Sequence, residues 1–187
     1  MSRLGTWNPT TVDERLDRME SLATIRQLPY RYAVAIDSRD MDMLVGLFVA
    51  DVRVGKDEIG REALKRWFTR TMSRSKASCH FVGNHMVDFD DADHAHGIVY
   101  CHDELEQPED GHWMQGMLQY WDDYRRLDGE WYFERRKFHR LYLVDWLTRP
   151  SHGAGNETGR SALRSYQLPE AYPSWNEFWD RVANEGA

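Results

Sequence analysis

WMQGMLQYWDDYRRLDGEWYFERRKFHRLYL, residues 113–143, reads as two long strands folded back on one another. Trp113–Tyr124 forms the first and Trp131–Leu143 the second, and Asp128-Gly129 supplies the turn. A two-residue type I′ hairpin needs positive φ at both central positions, which this dipeptide tolerates. Upstream, the period of two continues. His80–Phe89 and Gly97–Glu106 read as strands, with Asp90–Asp93 and Gln107–Gly111 as turns. Before residue 80 the pattern is helical. Thr11-Val-Asp-Glu14 is a capping box, followed by Leu16, Met19, Leu22 and Ala23 at helical spacing. Pro29 predicts a kink or a second helix, and Tyr30–Ile36 continues the apolar stretch. Ser38-Arg-Asp40 marks a turn, Met41–Phe48 a short helix, Asp51–Val54 a short strand, and Gly60 the start of a third helix. Helices first, then an antiparallel meander, predict an α+β fold over residues 1–146. Residues 147–187 form a separate extension, broken by Gly153, Gly155, Pro169 and Pro173. It ends in a short aromatic helix capped by Ser174 and is expected to serve as a lid or an interface.

The chain has 187 residues, 41% hydrophobic and 29% charged, the balance of a single globular domain. Eight Trp, nine Tyr and seven Phe exceed what such a core needs and point to an apolar pocket, a subunit interface, or both. A net charge of −7 and short basic runs (Arg135-Arg136-Lys137, then Arg140) argue against a nucleic-acid surface. No run reaches membrane-spanning length, and the first residues lack a signal-peptide pattern. With two cysteines, Cys79 and Cys101, the expected location is the cytoplasm, with reduced thiols.

Side chains alternate across a strand, so parity sorts the candidates. His80, Val82, Asn84 and Met86 share one face of the first long strand, with His85 opposite. Val99, Cys101, Asp103 and Leu105 share a face of the next, with His102 opposite. Phe138, Arg140 and Tyr142 share a face of the last, with His139 opposite. Turned inward, these give a pocket a base (His80), a carboxylate (Asp103) and a fixed cation (Arg140), among apolar Val82, Met86, Phe138 and Tyr142. Tyr32 and Asp37, about 140° apart on their helix, reach it only if the helix end sits over it. Each has a plainer reading too: Asp37 as a helix terminator, His80 and Tyr32 as core residues, Asp103 with Arg140 as a structural salt bridge. His94-Ala-His96 with His80 or His85 is a metal reading that lacks an evident third ligand. No glycine-rich nucleotide loop is present, so no redox cofactor is expected.

Tyr30-Arg-Tyr-Ala-Val-Ala-Ile-Asp37-Ser-Arg-Asp40, Leu47-Phe48, Asp51 and the hairpin Gln119–Trp131 resemble the SnoaL-like family of the nuclear-transport-factor-2-like superfamily, over roughly residues 13–146. That resemblance implies a cone-shaped barrel of curved antiparallel sheet with N-terminal helices packed over it. Within the superfamily the sequence is most similar to the bile-acid 7α-dehydratases. The Tyr, Asp, His, Asp and Arg of their pocket fall on Tyr32, Asp37, His80, Asp103 and Arg140. Scytalone dehydratase and lindane dehydrochlorinase share the Asp and the His. The resemblance implies a cofactor-independent lyase with His80 as base and Asp37 as its partner, acting on a hydrophobic aromatic or polycyclic hydroxylated substrate. It implies a homo-oligomer, trimer or dimer. Tyr32 would act as hydrogen-bond or proton donor, Arg140 would stabilise negative charge, and Asp103 would orient a neighbour. Double-bond isomerisation, formaldehyde-releasing cleavage of lignin-derived aromatic dimers, and a non-catalytic role like that of a ring-hydroxylating dioxygenase small subunit stay open.

Overall fold

The computed structural model describes residues 5–107 and 111–146, together with Asn176, Asp180 and Asn184. Helix α1 (Val12–Ser38) begins at the capping box: Thr11 Oγ1 accepts from the Glu14 amide, and the Glu14 carboxylate accepts from the Thr11 amide. Of the two expectations at Pro29 the second helix is ruled out, since α1 runs on through the proline. A proline inside a helix costs about 3 kcal/mol or more. Here the turns around it bury Ile25, Leu28, Pro29, Tyr32, Ala35 and Ile36, and each large apolar side chain returns about 1.5–3 kcal/mol. The N-terminal turns are helical as read, although Leu16 and Met19 are exposed. The helix enters the core only from Ser21 onward. It ends at Arg39 in the left-handed region, and α2 (Met41–Gly46) follows with Asp40 as its cap.

A small ribbon, β1 (Arg53–Val54) and β2 (Glu58–Ile59), leads into α3 (Arg61–Met72), which buries Ala63, Leu64 and Phe68. Four long strands complete the fold: β3 (Ala77–Phe89), β4 (His94–Glu106), β5 (Trp113–Leu127) and β6 (Glu130–Asp145). They pair antiparallel in chain order as one open, curved sheet, so the expected barrel does not close. Asp128 and Gly129 both have positive φ, as the hairpin reading requires. The inner face carries Phe89, Val99, Cys101, Leu118, Tyr124 and Phe133, packed beneath the helices in one core.

Register slips break the alternation. One lies between Val82 and His85 in β3; two lie along the β5–β6 pair, at Met117/Leu118 and Asp123/Tyr124. They overturn three parity assignments. His85 turns inward opposite Val99, and Met86 turns outward and is 46% exposed. Tyr142, opposite Met117, leaves the inner face to Leu143, opposite Gly116. The extension from residue 147 lies outside the described residues, apart from helical backbone at Asn176, Asp180 and Asn184. Among the described residues no helix is long and apolar enough to cross a membrane, and Cys79 and Cys101 are both free thiols.

Candidate active site

The inner sheet face and the helices enclose a cavity of about 560 Å³, within the ~300–1,000 Å³ of small-molecule sites. Buried Tyr32, Ile36, Phe48, Phe68 and Tyr120 form much of its wall, and exposed Arg53, Trp67 and Arg74 mark its opening. His80, Asp103, Phe138 and Arg140 all line it, as the sequence predicts. Val82 is on the inner face but packs against the core without lining the cavity. Met86 and Tyr142 do not line it, for the register reasons above.

Asp37, on the last turn of α1, is tied to β3 by three hydrogen bonds. The His80 amide donates to Oδ2 at 2.8 Å, the His80 ring meets Oδ1 through Nδ1 at 2.7 Å, and Ser78 Oγ donates to Oδ1 at 2.8 Å. Arg39 steadies Ser78 through Nη1 at 2.7 Å. Burial alone would raise the Asp37 carboxyl, but its hydrogen bonds to His80 and Ser78 outweigh burial and hold it below the usual carboxylate range. The carboxylate therefore fixes the ring as the Nδ1–H tautomer and leaves the Nε2 lone pair on a side chain that faces the cavity.

Asp103 and Arg140 face each other across β5, joined at 2.5 Å and both buried. Gly116 lies between them, opposite Asp103 on β5. A Cβ at Gly116 would collide with Arg140 Nη1 and Asp103 Oδ1 and press on the Tyr142 carbonyl. The structural salt bridge and the cavity-lining group are thus one object, and Arg140 is not the lone cation expected from the sequence.

A second buried pair escaped the sequence reading. Arg136 donates to Asp122 through Nε at 2.8 Å and Nη2 at 2.7 Å. Its guanidinium lies over the rings of Tyr32, Tyr120 and Phe133, within 4.0–4.3 Å of their centroids. Burial would favour its neutral form, but Asp122 holds it charged. Burial pushes the Tyr32 hydroxyl up to about 12, with Arg136 opposing, so it stays protonated at neutral pH and can donate. Stepping back two residues along the Phe138–Arg140 parity reaches Arg136; three consecutive basic residues concealed it.

Tyr124 OH donates to Asp122 Oδ2 at 2.9 Å and meets His85 Nε2 at 3.0 Å. His85 thus joins the inner network, while His102 and His139 stay on the outer face. His94 and His96 are engaged by Asp91 and Asp90. No group of three metal-ligand side chains converges among the described residues.

The SnoaL-like domain model matches residues 17–137. No curated protein matches the chain in sequence. Among solved structures, the hexachlorocyclohexane dehydrochlorinase LinA-type3 from Novosphingobium barchaimii LL02 superposes with a TM-score of 0.64 at 22% identity, covering 73% of this chain and 99% of that one. A protein from Novosphingobium aromaticivorans DSM 12444, provisionally titled a scytalone dehydratase, gives 0.61 at 21% identity, covering 78% and 98%. A Nostoc punctiforme protein of unknown function with a cystatin-like fold gives 0.51 at 20%, covering 71% and 95%. At these identities the likeness is one of fold.

Proposed function

From the premise that this chain belongs to the SnoaL-like family, we propose that it is a cofactor-independent lyase whose base is His80, acting on a hydrophobic aromatic or polycyclic hydroxylated substrate. The observation that carries the reading is the 2.7 Å contact of His80 Nδ1 with Asp37 Oδ1, made by a histidine that lines a largely apolar cavity. In the proposed step Nε2 takes a proton from a carbon next to the one bearing the leaving group. The C–H electron pair becomes the new double bond, and the C–O bond breaks toward oxygen. Asp37 stabilises the imidazolium formed. Tyr32 then donates a hydrogen bond to the departing or carbonyl oxygen, and the Asp103–Arg140 pair sets the local field. The dehydrochlorinase likeness supports elimination as the reaction class. The same base serves isomerisation, and it serves loss of formaldehyde when the proton removed comes from a hydroxyl. We further propose that the protein is a homo-oligomer with no nucleic-acid or membrane partner, located in the cytoplasm.

Purified protein, with no added cofactor, should turn over members of a panel of hydroxylated aromatic and polycyclic compounds, read as a new conjugated absorbance. Turnover should survive exhaustive chelation. His80→Ala and Asp37→Asn should each lower kcat on the order of 10²-fold or more, with circular dichroism unchanged. Near-normal turnover by His80→Ala would remove His80 as the base and make Asp37 the leading candidate. No turnover of any panel member without added cofactor would favour the non-catalytic reading.

A further inference from the structure

The charges of the cavity are not evenly spread. Inside, the guanidinium groups are matched: Arg140 by Asp103 and Arg136 by Asp122. At the opening the arginines have no such match among the described residues. Arg53, on β1, and Arg74, just past α3, both line the cavity from different elements and both are exposed to solvent. Arg135, beside Arg136 on the edge strand β6, borders the cavity as well. Among the described residues none of the three forms an ion pair. The one acidic side chain lining the cavity, among the described residues, is Asp103, already joined to Arg140. An acidic chain of net charge −7 thus borders its cavity with guanidinium groups that, among the described residues, pair with no carboxylate.

We infer that the opening is an oxyanion subsite: the substrate is an amphipathic anion whose apolar body fills the cavity and whose carboxylate or phosphoryl end rests on Arg53 and Arg74. The inference rests on the reading of the cavity as the substrate site. A paired interior accepts an uncharged body, because neither buried guanidinium is left for an anion to neutralise. Unpaired guanidinium groups at the opening offer forked donors matched to carboxylate and phosphoryl oxygens. A cleft lined by one sign of charge also concentrates ligands of the other, even on a protein whose net charge repels them.

The test uses two dyes with one skeleton. 8-Anilinonaphthalene-1-sulfonate carries an oxyanion; N-phenyl-1-naphthylamine is the same ring system without it. The full-length protein should bind the sulfonate at least tenfold more tightly, and added salt should erode that advantage. Arg53→Gln/Arg74→Gln should lose at least fivefold in sulfonate affinity and leave the neutral dye unchanged. Arg135 is left intact because it adjoins the Arg136–Asp122 pair. A control, Arg15→Gln/Arg31→Gln, removes two exposed charges from α1 and should change neither dye. 2-Naphthoate and 2-naphthyl phosphate then compete against the sulfonate, and the stronger competitor identifies the end group as carboxylate or phosphoryl. Equal binding of both dyes, or an unchanged sulfonate affinity in the Arg53/Arg74 variant, overturns the inference while leaving the cavity reading intact. Failure of the neutral dye to bind at all removes the cavity reading, and the inference with it.

Discussion

Asp37 and His85 both resist protonation in acid, Asp37 through its hydrogen bonds and His85 through burial. Asp37 has three donors and keeps its charge to lower pH than an ordinary carboxyl. His85 has one useful partner. Tyr124 donates its proton to Asp122, so it can only accept from His85, which fixes the Nε2–H form and leaves Nδ1 buried without a partner. A second proton at Nδ1 would bury an unpaired charge; burial, with Arg136 and Arg26 adding to it, lowers the His85 pKa to about 4. Between the ordinary value of 6.5 and about 4, the unfolded chain binds a proton at this position that the folded chain refuses. Stability therefore falls as pH drops through that window. In His85→Gln, whose side-chain amide can replace the Nε2–H donor, the loss of urea midpoint between pH 7 and pH 5 should be smaller than in the wild type. An equal loss in both proteins would show that His85 does not govern this window. Legibility at this scale was uneven. Asp37 and His80 stood out because the ordered spacing of Tyr32, Asp37, His80, Asp103 and Arg140 carries the family resemblance of the sequence. Arg136 shares the parity of Phe138 and Arg140 but resembles the solvated charges beside it, and only the register shows that Asp122 faces inward with it.

At the scale of the element, the hairpin and the helical order were readable because Asp128-Gly129 and Thr11-to-Glu14 are local devices that work without tertiary help. The bulges were not readable. A slip in pairing is set by how β3 and β6 bend around the core, and the two-residue period cannot display its own interruption. Hence Val82 and Phe138 were assigned to the correct face, while Met86 and Tyr142, beyond a slip, were not. The same sheet contains a test of the Asp103–Arg140 pair. These residues approach each other over Gly116, where any Cβ overlaps both. Gly116→Ala must push one partner away and leave a buried charge poorly compensated, so it should cost about 1–3 kcal/mol or more by denaturant unfolding. Gly46→Ala serves as a control, since nothing lies within 4 Å of its added Cβ. If Gly116→Ala proved no more costly than the control, the close approach over Gly116 would be wrong.

For the whole molecule, the inner and outer faces of the sheet raise different questions. The inner face is covered by helices. The outer face leaves Phe81 72% exposed, with Met86 and Tyr100 also open, beside a Trp121–His139 contact with ring centroids 4.2 Å apart. Large apolar side chains gathered on one exposed face of a domain mark an interaction surface. A second copy of the chain is the proposed occupant. Copies of net charge −7 repel one another, so apolar contact must supply the attraction, and a closed dimer or trimer brings the same patch together in each subunit. Light scattering on the full chain should therefore give the mass of a dimer or trimer. Phe81→Glu/Tyr100→Glu, which puts like charges into each copy of the patch, should shift the population to monomer while leaving the far-ultraviolet spectrum unchanged. Added salt should not dissociate the wild-type assembly, since screening weakens the repulsion and leaves apolar burial in place. A wild-type protein that stays monomeric at high concentration would refute the assembly. A dimer or trimer that persists in the double variant would mean that the subunits meet through some other surface.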